Sequence, residues 1–363
     1  MNQHEPTLTW EAGTAYDLFI SLLVLHDPGR VGLRAAWAAG VRSRLPGAER
    51  AFLKQAADSF VPFSWLHGLP APKDGATALE ALAAIPPGER LATIHFHGRS
   101  FPEALGDLLR DVAARGEWDE GDRRHLKELV GKERPLKKTK KELGHILDLW
   151  IDPARSGEMY LQALRAYHEG FFAEEEARIA PYLKAAVARG QEMGERLSLV
   201  SLLEELSQGL RFAALPALEE IVLVPSFWST PLVVEHRLAE AQMLFVFGAR
   251  PSTVSLVPGE PVPDDLTRAL KAVADPTRLR ILHYLAQEPL TPTRLAERLR
   301  LRPPTVVHHL HVLRLARLVR LTMEAEGKRR YTVRAGGIAQ TCAALQRFIE
   351  AGSAGGNGDD GET

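Results

Sequence analysis

Cysteine is almost missing from this chain of 363 residues: Cys342 is the only one. That excludes an intramolecular disulfide and any multi-cysteine zinc site. No apolar run reaches the roughly 18 residues that a membrane-spanning helix requires. Leu18–Leu25 is apolar but short, and Glu11 and Asp17 precede it where a secretory leader would carry basic residues. It reads as a core helix. Three catalytic signatures are missing as well: the phosphate-cradling Gly-x-x-x-x-Gly-Lys-Ser/Thr loop, the Gly-x-Ser-x-Gly elbow and the His-Glu-x-x-His zinc helix. An enzyme reading therefore has no positive support, and no cofactor is expected.

What the chain does have is unevenly spread charge. Formal net charge is −1, yet residues 264–350 hold 16 Lys+Arg against 8 Asp+Glu, leaving 29 against 38 elsewhere. A basic end joined to an acidic body suits a nucleic-acid partner. Hydrophobic residues at 45% and charged residues at 25% are those of a globular protein with a sizeable core. The expected class is mainly α, and the expected location is the cytoplasm with no membrane attachment.

Residues 8–215 read mostly as helices, over roughly 30–43, 46–58, 77–84, 101–115, 120–130, 141–150, 157–173, 175–192 and 197–213. At Glu219 the texture changes. Glu220–Val224 and Met243–Phe247 are short branched and aromatic runs that predict buried strands, with Pro231–Glu235 as a third. A small antiparallel sheet is expected from them. The Pro-rich stretch 248–263 predicts a semi-stiff linker, and the Gly-rich tail 351–363 predicts disorder. The expected plan is a helical body over 1–247, that linker, a compact module over 264–350, and the tail.

The module is the informative part. Leu266, Leu270 and Val273 give a first helix an apolar stripe. Asp275-Pro276 and Thr291-Pro292 each pair an N-cap with a proline at the first helical position, where its missing N–H is harmless. Ile281, Leu282 and Leu285 face inward from the second helix, and Leu295 and Leu299 from the third, with Leu290 and Leu295 placed to staple its start. Pro304 suits the start of a fourth helix, whose inward stripe is Val306, Leu310 and Leu313. Thr305, His308, His309 and His311 then point outward, with Arg314 one turn on and Arg302 just before the helix. Short or planar donors of this kind suit base edges and phosphates, and Val307 suits a thymine methyl. Leu318–Thr322 and Arg330–Val333 predict a hairpin whose tip carries Lys328, Arg329 and Arg330. Ile338, Cys342, Leu345 and Ile349 repeat at helical spacing, so a last helix either packs on the module or forms a two-fold interface.

Residues 264–350 resemble the ArsR-type winged helix-turn-helix of bacterial transcriptional regulators. The resemblance rests on Ala274–Leu282, Leu295-Ala296, Thr305-Val306 with His308-His309-Leu310 and Leu313-Arg314, Leu318-Val319, and Gly327-Lys328-Arg329 with Tyr331. It implies a dimer on a palindromic operator in double-stranded DNA. It also implies groove contacts by Thr305, Val307, His308 and His311 and wing contacts by Lys328 to Arg330. Three departures matter. Valine stands at 307 where a serine is usual, and Arg317 where a glycine is common. The cysteines, or the Asp/His/Glu set on the last helix, by which many members sense metals have no counterpart.

Other candidates have plainer explanations. His308, His309 and His311 cannot converge on one ion from a single helix face. His95 and His97 would share one face of a strand, as satisfied residues. Cys342 reads as a packed small hydrophobe, Lys132–Lys141 as a solvated helix start, Trp65, Trp118, Trp150 and Trp228 as core, and Glu204-Glu205 as a solvated face. The expectation is a sequence-specific transcription regulator, a repressor, acting as a homodimer. Its large body would dimerise or take an effector that the sequence does not identify. Two other readings stay open: a small-molecule receptor or enzyme-like body with secondary DNA binding, and a protein-binding adaptor.

Overall fold

A computed structural model describes residues 5–355, apart from 32, 57–60, 97–102, 134–139, 213–217 and 325–327. The chain forms two compact units. One comprises Met1–Val187, Leu218–Ser229 and Val234–Val246; the other comprises Ala188–Ala217, Thr230–Val233 and Phe247–Thr363.

The chain opens with strand β1 (Thr7–Trp10) and helices α1 (Thr14–His26), α2 (Ala35–Ser43), α3 (Gly47–Ala56), α4 (Phe63–His67), α5 (Gly75–Ala84) and α6 (Pro87–Phe96). Helices α7 (Glu103–Arg115), α8 (Glu120–Glu133), α9 (Lys140–Ile151), α10 (Pro153–Tyr167) and α11 (Ala173–Gly194) follow, the last two joined by a π-helical turn at His168–Phe172. Next come α12 (Leu199–Leu206), β2 (Leu210–Phe212), β3 (Glu220–Ser226), β4 (Val234–Ala239) and β5 (Gln242–Gly248). The remainder is α13 (Asp264–Val273), α14 (Pro276–Gln287), α15 (Pro292–Leu299), α16 (Pro303–Leu315), β6 (Val319–Met323), β7 (Arg329–Val333) and α17 (Gly337–Gly355).

Within the first unit, α1 is buried almost all round, as a helix apolar on every face must be. The sheet is mixed rather than antiparallel. Its order is β1-β3-β5-β4, with β1 parallel to β3 and β4 antiparallel to β5. Interior strands β3 and β5 are buried on both faces, whereas edge strand β4 alternates buried and exposed. The third strand starts at Val234, later than Pro231. His95 lies in α6 and not in a strand; His97 and most of Lys132–Lys141 lie outside the described residues. Trp65, Trp150 and Trp228 are core, while Trp118 is half-exposed and donates to Asp148 at 2.8 Å. The first residues of the expected disordered tail continue α17, and 356–363 lie outside the described residues.

One buried charge organises the turn after β3. Asp17, fully buried on α1, accepts the Ser226 hydroxyl at 2.6 Å and the amides of Phe227 and Trp228, each at 3.0 Å. Burial lifts its carboxyl from 3.8 to about 6 against the pull of these donors, and buried Glu175 adds to the rise. Between about pH 4 and 6 the folded state thus holds a proton that the unfolded chain has released. The stability this group confers is full below 3.8 and is lost as pH rises through about 6. Asp17→Ala strands three donors and should lower the stability of this unit by about 1–3 kcal/mol in urea unfolding followed by tryptophan fluorescence. The downward slope that Asp17 is expected to add between about pH 4 and 6 should disappear with it.

Candidate nucleic-acid interface

The helices of the second unit start where local chemistry dictates. Asp275 accepts the Arg278 amide at 2.9 Å and Thr291 accepts the Arg294 amide at 3.3 Å, each with proline next in the chain. Helix α15 ends because Arg300 turns left-handed, with φ of 55°, and the Leu301 amide returns to the Ala296 carbonyl at 3.0 Å. Helix α16 begins one residue earlier than expected, after Arg302, whose side chain makes no cap, with Pro303 and Pro304 filling positions whose N–H groups would have no partner.

Val306, Leu310 and Leu313 of α16 are fully buried against Ile281, Leu285, Leu295, Leu299, Leu318, Val319 and Tyr331. At 100° per residue this stripe decides where every other side chain of the helix points. Thr305, Val307, His308 and His311 are exposed, as is Arg302. His309 and Arg314 fall at the margins of the stripe and are half-buried. His309 turns toward Asp275 and Arg278, its Nδ1 is buried without a hydrogen-bond partner among the described residues, and burial lowers its pKa. Arg314 lies beside Tyr331 and Arg329, and burial lowers its pKa too. Neither belongs to the outward face where the sequence reading put it.

The wing strands pair antiparallel from Val319↔Val333 to Met323↔Arg329, and Leu290 bridges Tyr331 on the other side of β7. At the tip, the Glu324 amide donates to the Lys328 carbonyl at 2.8 Å. Lys328, Arg329 and Arg330 are exposed, but Arg330 is engaged by Glu324 at 2.7 Å. The outward face of α16 presents donors, and the wing tip presents cations. Among the described residues, no group of three His, Cys, Asp or Glu is arranged to hold a metal ion. No helix of the described residues is long and apolar enough to cross a membrane.

Residues 275–320, from the cap of α14 into β6, match the family described as bacterial regulatory protein, arsR family. This segment is an ArsR-type helix-turn-helix. It ties the second unit to DNA-binding transcription regulation, and it leaves the helical body without a family. No curated protein matches the chain.

Around the ArsR-type segment lie residues whose part was not legible beforehand. The Pro-rich stretch 248–263, read as a semi-stiff linker, is irregular and partly buried. Its Arg250 side chain is fully buried and donates to the Val254 carbonyl at 2.6 Å and to Asp264 at 3.1 Å. Asp264 also accepts the Leu256 amide at 2.7 Å. Asp265 pairs with Arg268 at 2.8 Å and with Arg317 at 2.9 Å. Arg317 has a φ of 58°, which explains why a glycine suits this position elsewhere. Here the arginine accepts backbone strain and gains an ion pair to α13. Cys342, expected inside, is exposed. Glu204 and Glu205 are not merely solvated: they pair with arginines of the wing sheet.

Arg317→Gly and Arg317→Ala both delete the ion pair to Asp265, but only alanine keeps the left-handed strain. The alanine variant should be the less stable of the two by about 1 kcal/mol in chemical denaturation. Equal stabilities would contradict a strained backbone at this residue.

Proposed function

We propose that the chain is a sequence-specific transcription regulator, a repressor, that reads a palindromic operator in the cytoplasm as a homodimer. The observation that carries this reading is the outward face of α16. Its buried stripe leaves Thr305, Val307, His308 and His311 exposed, and the wing exposes Lys328 and Arg329. In this reading His308 and His311 reach base edges, Val307 touches a thymine methyl, and Arg302, Lys328 and Arg329 hold phosphates. Arg330 contributes once DNA competes with Glu324, and Arg314 and His309 support the helix from its margins.

The dimer is supported by α17, on which Ile338 is 43% and Ile349 58% exposed, with exposed Cys342 between them. An apolar stripe left in water favours a second copy of the same helix. The first unit, with a core of its own, is the place for an effector; its differential affinity for two arrangements of the DNA readers would set the response. The absence of nucleotide, hydrolase and zinc signatures favours a regulator over an enzyme.

The test is hydroxyl-radical footprinting on the fragment upstream of the chain's own operon. Protection of two half-sites about one helical turn apart is expected. His308→Ala should relax base preference, whereas Arg329→Ala should weaken all sequences alike and flatten the salt slope by roughly one. No protection, or binding that ignores salt, would favour the adaptor reading instead. For the dimer, Ile349→Glu should shift the chain toward monomer in analytical ultracentrifugation and reduce protection to single half-sites at higher protein concentration.

A further inference from the structure

A two-stranded wing has an open edge on β6. In this chain that edge is filled by β2, which lies about 110 residues earlier and runs parallel, pairing Leu210↔Leu321, Arg211↔Thr322 and Phe212↔Met323. The Leu321 amide donates to the Gly209 carbonyl at 2.8 Å. The strand is delivered by a sharp break after α12, where Gln208 has φ of 60° and Gly209 of 109°. A Cβ at Gly209 would meet the Val319 carbonyl at 3.4 Å, an ordinary contact, so it is the left-handed backbone that favours glycine there. The Ser207 hydroxyl locks the break, accepting the Leu210 amide at 3.0 Å. Leu210 packs against the core of the ArsR-type segment.

Charge reinforces the pairing. Glu204, with a side chain only 12% exposed, is in an ion pair with Arg320 on β6 and lies 3.8 Å from Arg211. Glu205 pairs with Arg334, just past β7, at 3.6 Å. Apart from Arg320, the last matched residue, none of these residues lies in the matched segment.

We infer that α12 and β2 are a built-in third strand of the wing, and that Glu204 is a positioning residue that holds the basic tip for DNA through Arg320. The inference rests on the proposed DNA reading. Its physical basis is that a two-stranded hairpin alone is marginal, whereas a third strand and a covered edge give it order. The ordering entropy of Lys328–Arg330 is then met on folding and not on binding. Arg320 is neutralised by Glu204, so it acts on DNA through the wing and not as a phosphate contact.

The experiment uses the full chain with Glu204→Gln, Arg320→Gln and the swap Glu204→Arg/Arg320→Glu, each with and without Arg329→Ala. Amide exchange at Leu321 is read on the free protein, and affinity for the footprinted duplex is read by fluorescence anisotropy at several salt concentrations. In both single variants Leu321 should exchange about tenfold faster, while amides in α16 keep wild-type protection. DNA affinity should fall several-fold, Arg329→Ala should then cost less than it does in the wild type, and the swap should restore much of both losses. Arg320→Gln should leave the salt slope unchanged, unlike Arg329→Ala. Unchanged Leu321 exchange, fully additive losses with Arg329→Ala, or uniform acceleration throughout the unit would each overturn the inference. If the wild type binds no DNA, the proposed function fails, and the exchange result alone decides whether Glu204 anchors the strand.

Discussion

Helix α16 buries one face and leaves the other bare, and the rest of the second unit depends on that division. Val306, Leu310 and Leu313 meet the inner faces of α14, α15 and the wing strands in one apolar cluster. Because a helix is a rigid wheel, fixing this stripe fixes the outward set. A Leu→Ala change in such a cluster is worth about 2–5 kcal/mol, far more than any single exposed polar contact. The outward face is thus held by hydrophobic packing behind it, with Thr305, Val307, His308 and His311 exposed.

The second unit adds electrostatic fasteners at its periphery. Arg250, Asp264, Asp265, Arg268 and Arg317 form a network at the start of α13 and the end of α16. Burying an arginine lowers its pKa, as it does for Arg250 and Arg317, and the nearby carboxylates oppose that shift. Networks of this kind add little to stability compared with apolar replacements, but removing one partner leaves a buried charge exposed to the full desolvation penalty. Their value is geometric. They define which rotamers and which backbone turns coexist, including the strained one at Arg317.

What was legible in the sequence was local. The caps Asp275 and Thr291, the stripe of α16, the hairpin and the buried strands β3 and β5 all follow from periods and capping residues within a few positions. Errors arose where distant residues decide. Nothing within Leu210–Phe212 announces a strand, because three residues acquire that geometry only by pairing with β6. β1 escaped notice for the same reason, lying over 200 residues from the β3 partner that makes it a strand. Arg250 sits in a Pro-rich stretch whose composition predicts a semi-stiff linker, and only Asp264 and Asp265 reveal why it is buried. His309 and Arg314 lie at the edge of the stripe, whose limits are settled by neighbouring elements, here Asp275 and Tyr331, and not by helical period alone. Arg317 was the one signal visible in advance: an arginine where the fold favours a glycine.

In the proposed function, the outward face of α16 and the wing tip engage DNA through charge and base contacts together. The most direct measurement is the affinity of the full chain for its protected duplex against a scrambled duplex, from low to physiological salt. A steep loss on both duplexes with rising salt is expected, together with a preference for the protected sequence that persists at the highest concentration. Equal affinity for the two duplexes at every salt concentration would contradict it.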